Sequence, residues 1–210
     1  GSPSNSATIS FTAAKQIAGD VTIRGGSVSI SGAITTTSSS KRILIVADTF
    51  TASANISATN SSRLEIAQRT AGRGIVLGDA SASALAIPAS GNTFLRATTL
   101  QFGNTASGNV TVAASSTFAS ANVTNLKIVT PGSVTAVTGA ILTAANLAID
   151  AGGGVNLPGS NSVSGNVAIS ASSMVTYSSA VSYSPAVVDG TSAVFGVGRA
   201  ISLTNSPTLE

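Results

Sequence analysis

Cysteine, histidine and tryptophan are absent from the 210 residues, and charged side chains make up only 8%. Without cysteine there are no disulfides and no thiolate metal sites. Without histidine, imidazole ligation and the commonest general base are excluded as well. Aromatic residues amount to 4%, too few for the aromatic girdles of a transmembrane barrel. Long apolar runs are also missing: Ser, Thr, Gly or Asn interrupts every candidate well before the roughly 18 residues a spanning helix requires. No membrane insertion is therefore expected. The net charge of +3, from 10 Lys+Arg against 7 Asp+Glu, is too thin a field to predict a nucleic-acid partner.

What is present is aliphatic and uncharged-polar. Hydrophobic residues are 43% and mean hydropathy is +0.42, which argues against disorder, a state that needs low hydrophobicity and high net charge. Ser, Thr, Asn and Gly must carry the solubility. The length allows one domain with a continuous core.

The organising signal is an apolar-polar-apolar triplet at a fixed distance. Val21-Thr22-Ile23, Ile43-Leu44-Ile45, Leu64-Glu65-Ile66 and Leu85-Ala86-Ile87 start 22, 21 and 21 residues apart. Leu126-Lys127-Ile128, Leu147-Ala148-Ile149 and Val167-Ala168-Ile169 continue it at 21 and 20. Val134, Val155 and Val175 follow the later triplets at a constant offset of 8. Apolar positions near Ile141, Val163 and Val181 suggest a third strand per repeat, so each repeat reads as one triangular coil. Strand alternation turns Val, Ile and Leu inward and Thr22, Lys127, Ala148 and Asn156 outward. One coil cannot bury its apolar side, but stacked coils enclose a column. The expected fold is all-β, a parallel β-helix (solenoid) of about 20–21 residues per coil and roughly ten coils, a rod about 40–50 Å long.

One such domain is expected over residues 9–204, with 1–8 as a tag or irregular N-terminus and 205–210 as a C-terminal tail. Gly1-Ser2 and Leu209-Glu210 read as cloning residues, so the chain is expected to be an excised piece of a longer protein. The spacing of 41 between Leu85 and Leu126 predicts an irregular or inserted turn around 88–125, where Phe94, Phe102 and Phe118 are expected to pack. Ser62-Arg63-Leu64-Glu65 matches a helix capping box that Gly72 would close, but the strand register through Leu64 competes and is preferred. Lys41 to Asp48 resembles a nucleotide-binding first strand, yet no glycine-rich phosphate loop follows it. A buried coil strand is expected there.

Asn125, Asn146 and Asn166 precede corresponding strands and are expected to stack as a structural ladder at one corner, where Asn tolerates left-handed backbone and its amide bonds to the next turn. Ordinary turn asparagines are the alternative.

The run Gly72-Arg73-Gly74-Ile75-Val76-Leu77-Gly78, with Phe94 to Gly103 and Gly108-Asn109-Val110-Thr111-Val112, resembles the internal repeats of filamentous-haemagglutinin-like exoproteins of two-partner secretion. Ala145-Asn146-Leu147-Ala148-Ile149-Asp150-Ala151-Gly152-Gly153-Gly154-Val155-Asn156-Leu157 does too. The resemblance spans about residues 64–203. It implies a right-handed parallel β-helix, secreted and displayed on a bacterial cell surface, commonly for adhesion. The family's amino-terminal secretion domain carries Asn-Pro motifs, and no Asn here precedes Pro.

Chemistry is scarce. The acids Asp20, Asp48, Glu65, Asp79, Asp150, Asp189 and Glu210 are dispersed, and only Asp150 and Asp189, 39 residues apart, are spaced to share a face. Nucleophilic triads would have to use Lys as base, and Gly152-Gly153-Gly154 lacks the Asp of calcium-binding β-roll repeats. No catalytic residue, metal site or cofactor is predicted. Arg63, Arg69, Arg73 and Arg96 form the densest basic group, with Arg73 and Arg96 about one coil apart. They are read as a patch for anionic glycan or surface polymer, or else as a solvated edge that discourages strand pairing. Asn55, Asn60, Asn109 and Asn122 fit the glycosylation acceptor pattern, which arises by chance in a Ser/Thr-rich chain. Thr35, Thr51, Thr111 and Thr135 do not fall at a common coil position, which ranks an ice-binding solenoid well below adhesion; a polysaccharide-binding solenoid is a further lower alternative. The expected role is a non-catalytic adhesin segment facing glycans or host or community cell-surface receptors, with a passive spacer as alternative. Uncapped coil ends would favour end-to-end self-association.

Overall fold

A computed structural model describes residues 7–81, 83–179, 186–187 and 200–203. The fold is all-β, built from parallel strands, with one four-residue helix, Ala89–Asn92, among the described residues. Three strand faces follow one another along the chain and repeat.

The first face stacks Val21–Arg24, Arg42–Val46, the second half of Ile56–Ala67, the second half of Leu95–Phe102, Val123–Thr130, Asn146–Ala151, Val167–Ala171 and Ala186–Val187, all parallel. Its register joins Val21, Ile43, Leu64, Leu100, Leu126, Leu147, Val167 and Ala186. Those eight rungs, at about 4.8 Å each, span about 34 Å, shorter than the ten coils expected from length alone. The middle of the chain spends extra residues on each rung.

The second face begins as Thr8–Phe11, Ser27–Ile30 and Thr49–Ala52. It resumes as Leu85–Pro88, Ile75–Gly78, Val110–Val112, Val134–Ala136, the start of Val155–Val163, and Val175–Ser179. Lys15–Ile17, Ile34–Thr36 and the first halves of Ile56–Ala67 and Leu95–Phe102 start the third face. Ser116–Thr117, Leu142–Ala144 and the end of Val155–Val163 form its later part. One pairing is antiparallel: Ala200–Leu203 runs against Val175–Ser179.

Alternation explains the core. The inward residues are mostly aliphatic and nearly all fully buried, among them Ile43, Ile45, Leu64, Ile66, Leu126 and Ile128, and they form one continuous cluster. Phe102 and Phe118 meet inside it with ring centroids 5.5 Å apart, while Phe94 is only half-buried at the rim. Ile56–Ala67 is a single strand, so the capping-box helix does not form. Ser62 instead accepts from the Lys41 N–H at 2.9 Å and donates to the Ser38 carbonyl at 3.3 Å. Lys41 to Asp48 contains the buried strand Arg42–Val46, and no helix follows it.

Three expectations need correcting. Leu85-Ala86-Ile87 is not on the first face. It pairs with Ile75-Val76-Leu77 on the second, and the residue above Leu64 is Leu100, 36 positions on. The insertion therefore begins earlier than expected, between Ala67 and Leu95, while the rung of 26 positions from Leu100 to Leu126 keeps part of the irregularity within 88–125. Apolar triplets look alike on every face, and spacing alone misassigned this one. The third strand does lie near Ile141 and Val163, as Leu142–Ala144 paired with the end of Val155–Val163; Val181 is outside the described residues. Among the described residues the left-handed non-glycine positions are Ser40, Asn60 and Ser61, not the ladder asparagines.

The inserted stretch reverses chain order. Ile75–Gly78 pairs on one side with Val110–Val112 and on the other with the later strand Leu85–Pro88. Leu85–Pro88 then faces Thr49–Ala52 without hydrogen-bonded pairing, so the second face is split into two sheets. A cavity of about 130 Å³ marks the seam, lined by Phe50, Ala52, Ile87, Pro88 and Gly91.

Candidate functional site

Inward positions are spent on the core, so recognition falls to the outward rows. On the first face one outward row runs Thr22, Leu44, Glu65, Gln101, Lys127, Ala148 and Ala168. A neighbouring row begins Arg42, Arg63, Thr99, Asn125 and Asn146. Charge gathers at one end of these rows and amide groups at the other.

At the charged end, Glu65 is 6% exposed although it points outward. Burying a carboxylate demands partners, and two arginines supply them. Oε2 accepts from Arg42 Nε at 2.9 Å and Nη2 at 2.5 Å, and Oε1 lies 2.8 Å from Arg63 Nε. The two arginines are register neighbours, so Glu65 also relieves the repulsion of like charges placed side by side.

A groove of about 290 Å³ opens beside this triad. Leu44, Val46, Ala67, Ala71 and Ala106 give it an apolar floor, and Arg24, Arg42, Arg69, Glu65, Gln68 and Asn104 give it polar walls. The wall from Gly103 to Asn109 is fixed by a buried network. Ser107 donates to Gln68 Oε1 at 2.6 Å, the Asn104 N–H donates to Ser107 Oγ at 2.9 Å, and Asn104 Oδ1 accepts the Ala106 N–H at 2.8 Å. Gly103 makes the sharp entry possible, with φ +79° and the Val129 carbonyl where a Cβ would go.

The opposite wall is anchored by Asp48. Its Oδ1 accepts the N–H groups of Arg69 and Thr70 at 3.0 and 2.8 Å, and Oδ2 accepts the Thr70 hydroxyl at 2.6 Å. Burial pushes the Asp48 carboxyl upward, but the Thr70 hydroxyl, the two backbone N–H groups and the Arg73 charge outweigh it and hold its pKa below the ordinary value.

The structure separates the four arginines of the sequence reading. Arg69 lines the groove, and Arg63 stands next to it through Glu65. Arg73 is structural: its Nη2 donates to the Ala84 carbonyl at 3.2 Å and its Nε sits 3.9 Å from Asp48. Arg96 lies on the third face beside Ser57 and donates to Asn122 Oδ1 at 2.5 Å. The four do not form one patch, because the insertion breaks the one-coil relation between Arg73 and Arg96. Arg24 and Arg42 take their place. Arg42 was detectable from sequence, since it precedes Arg63 by the 21-residue period; Arg24 was not, because it reaches the groove from a different outward row. The guanidinium groups of Arg24 and Arg69 have no ion pair or hydrogen bond among the described residues.

At the other end of the face the asparagines join. Asn146 Nδ2 donates to Asn125 Oδ1 at 3.2 Å and to the Thr124 carbonyl at 3.0 Å. Asn146 Oδ1 accepts the Asn166 N–H at 2.9 Å, and Asn125 Nδ2 donates to the Thr98 carbonyl at 3.2 Å. A shallow trough of about 320 Å³ runs beside them over Lys127, Ala148 and Ala168. A further asparagine escaped the sequence reading. Asn161, fully buried, accepts the Leu142 N–H at 2.9 Å and donates to the carbonyls of Leu157 and Ser178 at 2.9 Å.

Thr111 and Thr135 are register partners after all, but Val76 and Asn156 flank them in the row, so no threonine face results. Of the acceptor-pattern asparagines, Asn109 Oδ1 accepts the Ser133 N–H and Asn122 is bonded to Arg96, whereas Asn55 and Asn60 are exposed. Asp150 is exposed on the first face; Asp189 and Glu210 lie outside the described residues, as do Gly1-Ser2 and Leu209-Glu210. Among the described residues no three His, Cys, Asp or Glu side chains are grouped to hold a metal, and no helix is long and apolar enough to cross a membrane. Comparison with family models, with curated proteins and with solved structures finds no match.

Proposed function

We propose that the chain is a stretch of right-handed parallel β-helix from a secreted or bacterial cell-surface protein, akin to the filamentous-haemagglutinin-like exoproteins, and that it serves attachment without catalysis. The parallel rungs, the three recurring faces and the single aliphatic core support the architecture. The attachment reading rests on the groove, where the guanidinium groups of Arg24 and Arg69, which have no partner among the described residues, flank an apolar floor. Open cations beside carbon surface suit a polyanionic glycan or a surface polymer. The irregular rungs build this groove, and a scaffold with no other duty would not need them.

A passive spacer is the second reading. It is favoured by the stretch from Leu126 to Val167, where rungs recur at 21 and 20 residues and the Asn146 amide is spent on the rung before it. The test is binding of the purified chain to an array of glycans at low and high salt. Salt-sensitive binding to acidic glycans, lost in Arg24→Ala and Arg69→Ala and kept in Arg96→Ala, is the expected result. A blank array at low salt would leave the spacer.

A further inference from the structure

We infer that the unit held by the groove is a single carboxylate-bearing sugar ring, a uronic acid or a similar acidic sugar. This rests on the attachment reading of the same groove and gives its ligand a chemical class.

The inference starts from which hydrogen-bonding groups remain open. Both oxygens of Glu65 are engaged by Arg42 and Arg63. Gln68 Oε1 is taken by Ser107, and Asn104 Oδ1 by the Ala106 N–H. The side-chain acceptors of the groove are therefore engaged. Donors are not: the guanidinium groups of Arg24 and Arg69 are open among the described residues, the bonds to Glu65 use only Nε and Nη2 of Arg42, and the Asn104 bonds do not use its Nδ2. A cavity walled by donors selects a ligand that arrives as an acceptor, which means an oxyanion. A zwitterion or a cation finds no free carboxylate to meet its positive group.

The floor supplies the second half of the argument. Leu44, Val46, Ala67, Ala71 and Ala106 offer a patch of C–H surface beside the donors. A bare inorganic anion has nothing to place there, whereas a pyranose ring presents an apolar C–H face next to its carboxylate. The volume of about 290 Å³ lies at the small end of the roughly 300–1,000 Å³ of small-molecule sites, which suits one ring of a polymer. Planar, forked guanidinium groups favour a carboxylate over a point contact, and Lys in their place would lose that match.

The experiment is titration of the whole chain, followed by NMR or calorimetry, with glucuronate, its neutral methyl ester, acetate and inorganic sulfate. Glucuronate should bind at least tenfold more tightly than the ester, which lacks the charge, and than acetate and sulfate, which lack the ring. Arg24→Ala and Arg69→Ala should each weaken glucuronate at least tenfold, while Lys127→Ala, on the same face beyond the groove, leaves it unchanged. Equal binding of acetate or sulfate, or arginine variants that bind as the parent does, would overturn the inference. The glycan array separates the two levels: array binding that persists when glucuronate fails sinks only the acidic sugar, and glucuronate binding with a blank array sinks the attachment role.

Discussion

From Leu126 to Val167 the first face advances one rung every 21 or 20 residues; from Leu64 to Leu126 it advances two rungs, of 36 and 26. The regular part holds itself together through repetition, each asparagine bonding to the rung before it. The irregular part uses individual devices: a carboxylate between two arginines, a buried Gln68, Ser107 and Asn104 network, and a reversed pair of strands. Extra residues per rung left the core continuous: some add the core strand Leu85–Pro88, and others, around Gln68 and Asn104, form walls on the outer surface. Repetition builds the scaffold, and departure from it builds the concave site.

That contrast can be broken at several points. Phe102→Ala should have the largest effect, because it removes a fully buried ring from contact with Phe118 in the irregular part. A loss of about 3–5 kcal/mol is expected in denaturant titration. Glu65→Gln comes next, since it leaves Arg42 and Arg63 side by side without the charge between them; Arg63 is 55% exposed and keeps its water, so about 1–3 kcal/mol is expected. In the regular part, Asn146→Ala removes one member of a ladder and should cost about 1–2 kcal/mol. A larger loss for Asn146→Ala than for Glu65→Gln would place the individually built region second to the repetitive one.

The smallest effect concerns acid. Asp48 has its pKa depressed in the folded chain, so the stability it contributes is present above the unfolded value near about 3.9 and is lost as pH falls through the folded value. The Tm difference between the native chain and Asp48→Asn should be constant near neutral pH and shrink below about pH 4. A difference that persists unchanged at pH 2 would mean that the Asp48 charge contributes nothing.

Much of this was legible because strand alternation and a fixed period act at every rung. The inward positions Val21, Ile43, Leu64, Leu126, Leu147 and Val167 occupy the common register, and Val134, Val155 and Val175 occupy theirs. Leu85 was misplaced because an inward triplet carries no mark of which face it belongs to; only its partner, Ile75, decides. The groove was half legible. Arg69 lay in the basic cluster, but Arg24 joins it only through stacking, and Arg73 and Arg96 leave it because Ala84 and Asn122 offer them acceptors. No spacing rule encodes those acceptors.

The central claim is that outward residues one rung apart are neighbours and that those two rungs apart are not. The chain has no native cysteine, so engineered pairs test it cleanly. Lys127 and Ala148 are register partners, and Ala168 is the next residue along the row. A disulfide needs Cα atoms within about 7 Å, which one rung spacing of about 4.8 Å satisfies and two do not. The Lys127→Cys, Ala148→Cys pair should oxidise to an intramolecular disulfide, and the Lys127→Cys, Ala168→Cys pair should stay reduced. Equal crosslinking of both pairs, or of the second alone, would contradict the stacked register on which the groove, the ladder and the attachment reading all depend.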